Sequence, residues 1–128
     1  MPIARISLVR GKSAARRQAI ADGVYRAMRE TFGVPDKDRF ALIHEHDAEN
    51  FIFDDGYLGI ARTDSLVMIQ ITCSDTRSTA EKQALYAAIV DNLAADPGLR
   101  REDVLINLVE VRTEDWSFGL GVGQYIKG

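Results

Sequence analysis

The segments Ser-Ala-Ala-Arg-Arg-Gln-Ala at residues 13–19 and Ser-Thr-Ala-Glu-Lys-Gln-Ala at residues 78–84 have the same outline, and 78 minus 13 sets their offset at 65 residues. The match continues without a gap on both sides. At this offset Ile6 meets Ile71, Lys12 meets Arg77, Gly33 meets Gly98, Asp38 meets Asp103 and Glu45 meets Glu110. Shared helix caps and glycine stops would not require matching glutamine and aspartate positions, so we interpret the match as an internal duplication of residues 2–46 and 66–111.

Each copy has the pattern of a strand, a helix and a second strand. Alternating or continuous apolar residues predict the strands, which are Ile3 to Val9, Phe40 to His46, Leu66 to Cys73 and Val104 to Val111. Apolar residues spaced three and four apart predict one amphipathic helix ending at Gly33 and a second that begins at Ser78. The apolar face of the second helix is predicted to contain Ala84, Leu85, Ala88, Ile89 and Leu93.

The order of elements predicts an α/β (α+β) fold in a single domain, residues 1–128. Right-handed crossovers place both helices on one face of a four-stranded sheet. Apolar residues on both faces of the third and fourth strands predict that other copies of the chain cover the second sheet face. The same order of elements fits a ferredoxin-like monomer, so the periodicity leaves the oligomeric state open.

Composition excludes several classes of function. The 16 Lys and Arg residues against 19 Asp and Glu residues give a net charge of −3, and basic residues do not cluster with aromatic ones, so we expect no nucleic-acid partner. The chain lacks an apolar run of roughly 18 residues and a signal-peptide pattern, so we expect a cytoplasmic protein without a membrane partner. The single cysteine, Cys73, forms no internal disulfide.

The motifs for metals and cofactors are incomplete. His44 and His46 are two residues apart but lack a third ligand, as zinc would need. The glycine-rich segment from Gly119 to Gly123 imitates a nucleotide-binding loop but has no helix behind it, and we interpret it as a flexible tail. We therefore expect no metal site and no cofactor.

The first two residues, Met1 and Pro2, direct attention to the amino terminus. A small second residue normally allows removal of the initiator methionine, which leaves a secondary amine on Pro2. An α-amino group titrates near ~8 and can act as a base, an acid or a nucleophile toward a carbonyl. Proline is also a common second residue, so this signal alone leaves open that Pro2 has no chemical role.

Short motifs spread over nearly the whole chain identify a known family. They are Phe32-Gly33-Val34-Pro35 with Asp38-Arg39-Phe40, His44-Glu45-His46, Gly56-Tyr57-Leu58-Gly59 with Arg62, Arg77-Ser78 with Lys82-Gln83, and Asp115-Trp116-Ser117-Phe118-Gly119. With them the chain resembles the tautomerase superfamily, whose members use an amino-terminal proline and consist of two β-α-β units. Within that superfamily it is most similar to the malonate semialdehyde decarboxylases.

The resemblance implies a role for five residues and a homotrimeric assembly. Pro2 is then the amine, Asp38 its carboxylate partner, Arg77 the anchor for a substrate carboxylate, and Trp116 and Phe118 apolar walls. It further implies a cofactor-independent carbon–carbon lyase that decarboxylates a short 3-oxo acid such as malonate semialdehyde, with a hydratase side activity. The small partner is accordingly a carboxylate-bearing substrate.

Two alternative functions stay open. If Pro2 is neutral, it acts as a base and the chain is a keto–enol tautomerase of 2-oxo acids similar to phenylpyruvate. If Met1 is retained, the chain is a non-catalytic oligomeric binding protein. Some family decarboxylases carry a second arginine where this chain has Asp75 and its neighbours, which makes a dicarboxylate substrate less favourable here.

The residues alone also permit structural roles for the same side chains. Arg77 could pair with Glu81 or Asp75, and Asp38 could be a turn residue before Arg39. We further expected an extended chain to place Trp116 and Phe118 on opposite faces, so that they need not share a pocket.

Overall fold

The computed structural model describes residues 1–127, and Gly128, the last residue of the predicted domain, lies outside them. Residues 1–127 form a four-stranded sheet and two long helices, as predicted. Each strand boundary lies within one residue of its predicted position. The strands are β1 (Pro2–Val9), β2 (Ala41–His46), β3 (Val67–Ser74) and β4 (Val104–Val111), and the helices are α1 (Ala14–Phe32) and α2 (Thr79–Ala95).

Each helix begins directly after a serine, Ser13 for α1 and Ser78 for α2, and these two serines occupy equivalent positions in the duplicated halves. The Ser13 hydroxyl accepts a hydrogen bond from the Arg16 amide at 3.1 Å. At the second helix, the Ser78 hydroxyl accepts from the Glu81 amide at 3.1 Å, and the Glu81 carboxylate accepts from the Ser78 amide at 2.9 Å. These bonds satisfy amides that have no partner inside a helix. Gly33 ends α1 with a φ of 64°, a conformation that glycine adopts at little cost.

The sheet has the strand order β2-β1-β3-β4, with β1 and β3 antiparallel in the centre and a parallel neighbour outside each of them. Arg5 pairs with Gln70 in this central register, and the offset of 65 residues takes Arg5 to Gln70. The two halves of the fold are therefore related by a pseudo-twofold axis through this pair. The same offset takes all of β1 onto β3.

The core lies between the sheet and the two helices. Alternate residues of β1 and β3 are buried, and α1 and α2 cover them on one sheet face. Ala84, predicted on the apolar face of α2, is exposed, so this part of the prediction is wrong. Leu85, Ile89 and Leu93 form a narrow stripe with a spacing of four residues, and Ala84 projects about 100° away from it.

The other sheet face carries polar side chains at its centre and apolar side chains further out. Arg5, His44, Gln70 and Asn107 line a depression of about 570 Å³ on this face. Neither long helix of residues 1–127 is apolar enough to cross a membrane.

The buried carboxylate of Asp103, directly before β4, holds the segment that connects the two halves of the chain. Asp103 is fully buried, and it accepts hydrogen bonds from the Thr63 amide at 2.7 Å and the Thr63 hydroxyl at 2.6 Å. The Arg100 guanidinium donates a third bond at 3.3 Å. The carboxylate therefore holds the chain just before β3 against the chain just before β4.

We predict that Asp103→Ala lowers the free energy of unfolding by about 2–4 kcal/mol, because it removes three hydrogen bonds to a fully buried carboxylate. Urea unfolding measures this loss. The matched control is Asp91→Ala, which removes an exposed ion pair with Arg101 and should change stability little. Equal losses in the two variants would contradict the role of Asp103.

Candidate functional site

The amino end of β1 is buried inside the sheet rather than frayed. Pro2 is less than 2 % exposed and pairs with Cys73 on β3. Met1 precedes it, and the Met1 amino group lies 4.0 Å from the Asp38 Oδ2 atom. The structure thus brings the chain's amino group next to the carboxylate that the sequence analysis singled out.

Asp38 lies in the turn between α1 and β2, and its carboxylate is only 13 % exposed. Its Oδ1 atom is buried and has no hydrogen-bond partner among residues 1–127. A buried carboxylate oxygen without a donor is costly, and such atoms are rare in folded proteins. This oxygen is therefore available to a donor from an amine or from a bound molecule.

The charges around the amino group act on its pKa in opposite directions. Burial lowers the pKa of the Met1 amino group below its ordinary value, the negative charge of Asp38 raises it, and the positive charge of Arg77 lowers it further. Burial is the largest of these effects. Burial therefore favours the neutral amine, whereas the negative charge of Asp38 favours the protonated amine.

Arg77 lies between β3 and α2, directly before the Ser78 cap. Its guanidinium donates to the Phe32 carbonyl at 3.1 Å and the Thr76 hydroxyl at 3.0 Å, and its Cζ lies 4.7 Å from the centre of the Phe32 ring. In the described part of the chain it forms no ion pair with Asp75 or Glu81 within 4.0 Å, so those alternative pairings are wrong. Within residues 1–127, the positive charge of Arg77 therefore has no carboxylate partner.

Trp116 and Phe118 follow β4 and stack on each other, with ring centroids 5.6 Å apart and an interplanar angle of 19°. Our expectation that an extended chain would separate them was wrong. Residues two apart in an extended chain point to the same side, and Trp116 has the extended φ and ψ of −112° and 133°. The Trp116 indole donates to the Ser74 hydroxyl at 3.1 Å, which fixes the ring at the end of β3.

The segment after Phe118 folds back over these rings instead of forming a loose tail. Gln124 accepts a hydrogen bond from the Phe118 amide at 2.9 Å and donates to the Gly119 carbonyl at 3.0 Å. Tyr125 then contacts Phe118 edge to face, with centroids 4.8 Å apart. Tyr125 was not among the predicted site residues, because nothing in the sequence around it indicates that the chain folds back toward Phe118.

Two adjoining depressions share Met1, Phe40 and Phe118 and together form what we call the first cleft. One part, of about 290 Å³, also contains Asp38 and Tyr125. The other part, of about 160 Å³, also contains Trp116 and Ile3. Of the five predicted site residues, Asp38, Trp116 and Phe118 line the first cleft, and Pro2 lies buried beneath Met1. Among residues 1–127, Arg77 does not line either depression, although its charge reaches the amino group.

Within the described residues, no group of three or more His, Cys, Asp or Glu side chains is arranged to hold a metal ion. His44 instead faces Arg5, with 3.3 Å between its Nε2 atom and the guanidinium.

Comparison with known proteins finds that this chain is similar to one family of enzymes. Two family models, both described as tautomerase enzymes, match residues 2–61 and residues 38–119. The probable tautomerase YusQ of Bacillus subtilis strain 168 is 37% identical over 127 residues, which cover 99% of this chain and 100% of YusQ.

Several solved structures share the fold along nearly the whole chain. A malonate semialdehyde decarboxylase inhibited by 3-bromopropiolate has 38% identity and a TM-score of 0.90, with 96% of this chain and 93% of that chain covered. A second malonate semialdehyde decarboxylase, with decarboxylase and hydratase activities, has 29% identity, a TM-score of 0.91 and coverages of 96% and 95%. A symmetric trimer of fused 4-OT, at 21% identity and a TM-score of 0.77 with 94% of each chain covered, shares the fold.

We predict that Asp38→Asn lowers the pKa of the amino-terminal group, because it removes the negative charge that favours the protonated amine. A larger fraction of the amine is then neutral at neutral pH. A pH titration of the terminal nitrogen by ¹⁵N NMR measures the change. The control is Asp36→Asn, since Asp36 is 78 % exposed and pairs with Arg29. Similar shifts in both variants would contradict a specific action of Asp38.

Proposed function

Because the chain belongs to the tautomerase family, we propose that it is a cofactor-independent lyase that decarboxylates a short 3-oxo acid such as malonate semialdehyde. The observation that carries this proposal is the buried Asp38 carboxylate beside the amino group, with one oxygen unpartnered in residues 1–127. Similarity to two malonate semialdehyde decarboxylases supports the choice of reaction. Similarity to tautomerase enzymes disfavours a non-catalytic binding protein.

The proposal includes removal of Met1, so that Pro2 carries the reacting amine. Pro2 is a small residue, and the match to one tautomerase model begins at residue 2. Removal of Met1 would also vacate space in the first cleft, since Met1 lines both of its parts. In the decarboxylase at 29% identity, a form with the first proline replaced by alanine was studied beside the wild-type enzyme.

Decarboxylation of a 3-oxo acid breaks the bond to the carboxylate carbon and leaves an electron pair on the carbon next to the carbonyl. The protonated Pro2 amine stabilises that charge by hydrogen bonding to the carbonyl oxygen. In the alternative route the neutral Pro2 amine condenses with the carbonyl and expels water, the resulting iminium accepts the electron pair, and water later hydrolyses it to release the aldehyde. A proton then joins the carbon, and the products are carbon dioxide and an aldehyde. In this scheme the carboxylate of Asp38 keeps the amine protonated.

We propose that Arg77 anchors the substrate carboxylate. Its guanidinium is held by one carbonyl and one hydroxyl, and a charged carboxylate forms stronger bonds than either of these neutral acceptors. Trp116 and Phe118 form an apolar wall that excludes water, which strengthens the attraction between the substrate and its cationic partners. The proposed substrate is a small monocarboxylate.

A second candidate function is keto–enol tautomerisation of 2-oxo acids, with neutral Pro2 moving the proton. The observation in its favour is that burial is the largest effect on the Met1 amino group and lowers its pKa, and Pro2, the next residue, is buried as well. YusQ, at 37% identity, is called a probable tautomerase.

We further propose that the chain forms a homotrimer in the cytoplasm. The sheet face opposite the helices exposes Leu42 and Val109 at 46% and 38%. Burying such side chains against other copies is favourable. A trimer also occurs among the structures that share this fold.

We expect the processed protein to convert malonate semialdehyde to acetaldehyde, and Pro2→Ala to lower the rate by about 100-fold or more, because alanine lacks the secondary amine. Proton NMR follows the reaction after intact mass has confirmed the loss of Met1. Phenylenolpyruvate is tested in parallel. If only the enol is consumed faster than in buffer, the tautomerase function replaces the decarboxylase. If the processed protein acts on neither compound, the proposed function is wrong.

We expect Arg77→Ala to raise KM by about tenfold or more with a smaller change in kcat, since it removes a charge-assisted contact made to the bound substrate. Steady-state kinetics on the substrate identified above separates the two constants. The control is Arg10→Ala, which removes an exposed arginine paired with Asp47 at the other end of β1. Unchanged KM and kcat in Arg77→Ala would remove Arg77 from the site.

A further inference from the structure

The pseudo-twofold axis gives the first cleft a counterpart at the opposite end of the sheet. Adding 65 to Met1, Ile3 and Phe40 gives Leu66, Met68 and Leu105, and subtracting 65 from Phe118 gives Phe53. These four residues line one depression of about 180 Å³, close to the 160 Å³ of the matching part of the first cleft. We call this depression the second cleft.

The second cleft lacks the reactive groups of the first. The chain runs on through Leu66, so an ordinary peptide amide stands where the first cleft has an amino group. The counterpart of Asp38 is Asp103, and both of its oxygens accept hydrogen bonds from Thr63. Asp103 is thus engaged by the protein and, among the described residues, does not line the second cleft, whereas Asp38 lines the first. The second cleft is therefore suited to binding and not to amine chemistry.

The second cleft contains a guanidinium, whereas the cations that line the first cleft are Lys37 and the Met1 amino group. Arg62 lines the second cleft and is half-buried. Its Nη1 atom donates to the carbonyls of Asp54, Tyr57 and Ile60 at 3.4, 3.1 and 3.3 Å. Its Nε and Nη2 atoms donate no hydrogen bond to residues 1–127, and it has no ion pair within 4.0 Å there.

The nearby acidic residue does not neutralise this cation by direct pairing. Asp54 also lines the second cleft, but its Oδ1 atom accepts a hydrogen bond from the Gly56 amide at 2.8 Å. The backbone carbonyls therefore fix one edge of the Arg62 guanidinium and leave the other edge free. Met68, Leu105 and Phe53 provide an apolar surface beside it, above the fully buried Leu66.

We propose that the second cleft binds a small carboxylate with an apolar body and does not convert it. The carboxylate pairs with the free edge of Arg62, which is the geometry in which arginine binds carboxylates best. The apolar body packs on Phe53, Met68 and Leu105. This inference rests on the second cleft alone and does not depend on the reaction proposed for the first.

The chain provides a reporter for each cleft. Its three methionines are Met1, Met28 and Met68, and its single tryptophan is Trp116. Met68 lines the second cleft and also the central depression beside Arg5, whereas Met28 lies on the buried face of α1. With methyl-¹³C methionine, the Met68 signal reports binding at either place, the Arg62 variant below assigns it to the second cleft, and the Met28 signal is an internal control. Trp116 fluorescence reports the first cleft separately.

The test is a titration of the assembled protein with benzoate and, in parallel, with the neutral analogue benzamide. We expect benzoate to shift the Met68 methyl signal saturably, with Met28 unmoved, and benzamide to bind about tenfold more weakly or worse, because it lacks the charge that Arg62 recognises. An unmoved Met68 signal, or equal affinity for benzoate and benzamide, would overturn the proposal. A response confined to Trp116 would also overturn it, because binding would then occur only in the first cleft.

The matched variants are Arg62→Gln and Arg101→Gln. Glutamine at position 62 keeps a polar, hydrogen-bonding side chain but carries no charge, so we expect benzoate affinity at Met68 to fall about tenfold. Arg101 pairs with Asp91 on the surface and serves as the control for loss of one positive charge. Benzoate affinity that is the same in Arg62→Gln and Arg101→Gln would refute recognition by Arg62. The benzamide comparison needs no variant and tests the proposal even if Arg62→Gln does not fold.

Discussion

The antiparallel pairing of β1 with β3 is the constraint on which the rest of the structure depends. Chain termini usually fray because they have few partners. Here β1 lies in the middle of the sheet with β2 on one side and β3 on the other, so Pro2 is buried and paired with Cys73. The same pairing brings the end of β3, the start of β2 and the end of β4 to one edge. A rigid amine, a carboxylate and an aromatic wall meet there as a result.

Much of the fold could be predicted because its signals are local. Strand alternation, the two serine caps and the glycine at the end of α1 placed the elements within one residue at the strands, and the 65-residue offset indicated the symmetry. The exceptions have physical causes. Ala84 has the right polarity for the core but the wrong angle on α2, and Trp116 and Phe118 share a side because their spacing is two. Tyr125 reaches the first cleft through the hydrogen bonds of Gln124, which are not visible as a sequence period.

The site residues could be named from the resemblance, but their surroundings could not. Sequence does not tell which oxygen of Asp38 lacks a partner, or that Arg77 is held at the end of α1 by Phe32. The contrast between Asp38 and Asp103 shows why. These residues stand at equivalent positions in the two halves, yet one keeps an oxygen free within residues 1–127 while the other binds Thr63 with both oxygens. The difference lies in the neighbour of each carboxylate, which is Thr63 for Asp103 and the Met1 amino group for Asp38, and both neighbours are distant in the chain.

The return of residues 119–125 over the Trp116 and Phe118 rings has a consequence for how this protein can diversify. The amine of the first cleft stands at the start of β1 and the carboxylate in the turn before β2, and both are largely buried against the sheet. The outer wall belongs to a surface segment fastened chiefly by Gln124, whose two hydrogen bonds are exposed. Mutations can therefore accumulate in that wall at little cost to folding. Substrate preference can drift through this segment while the chemistry beneath it is inherited unchanged.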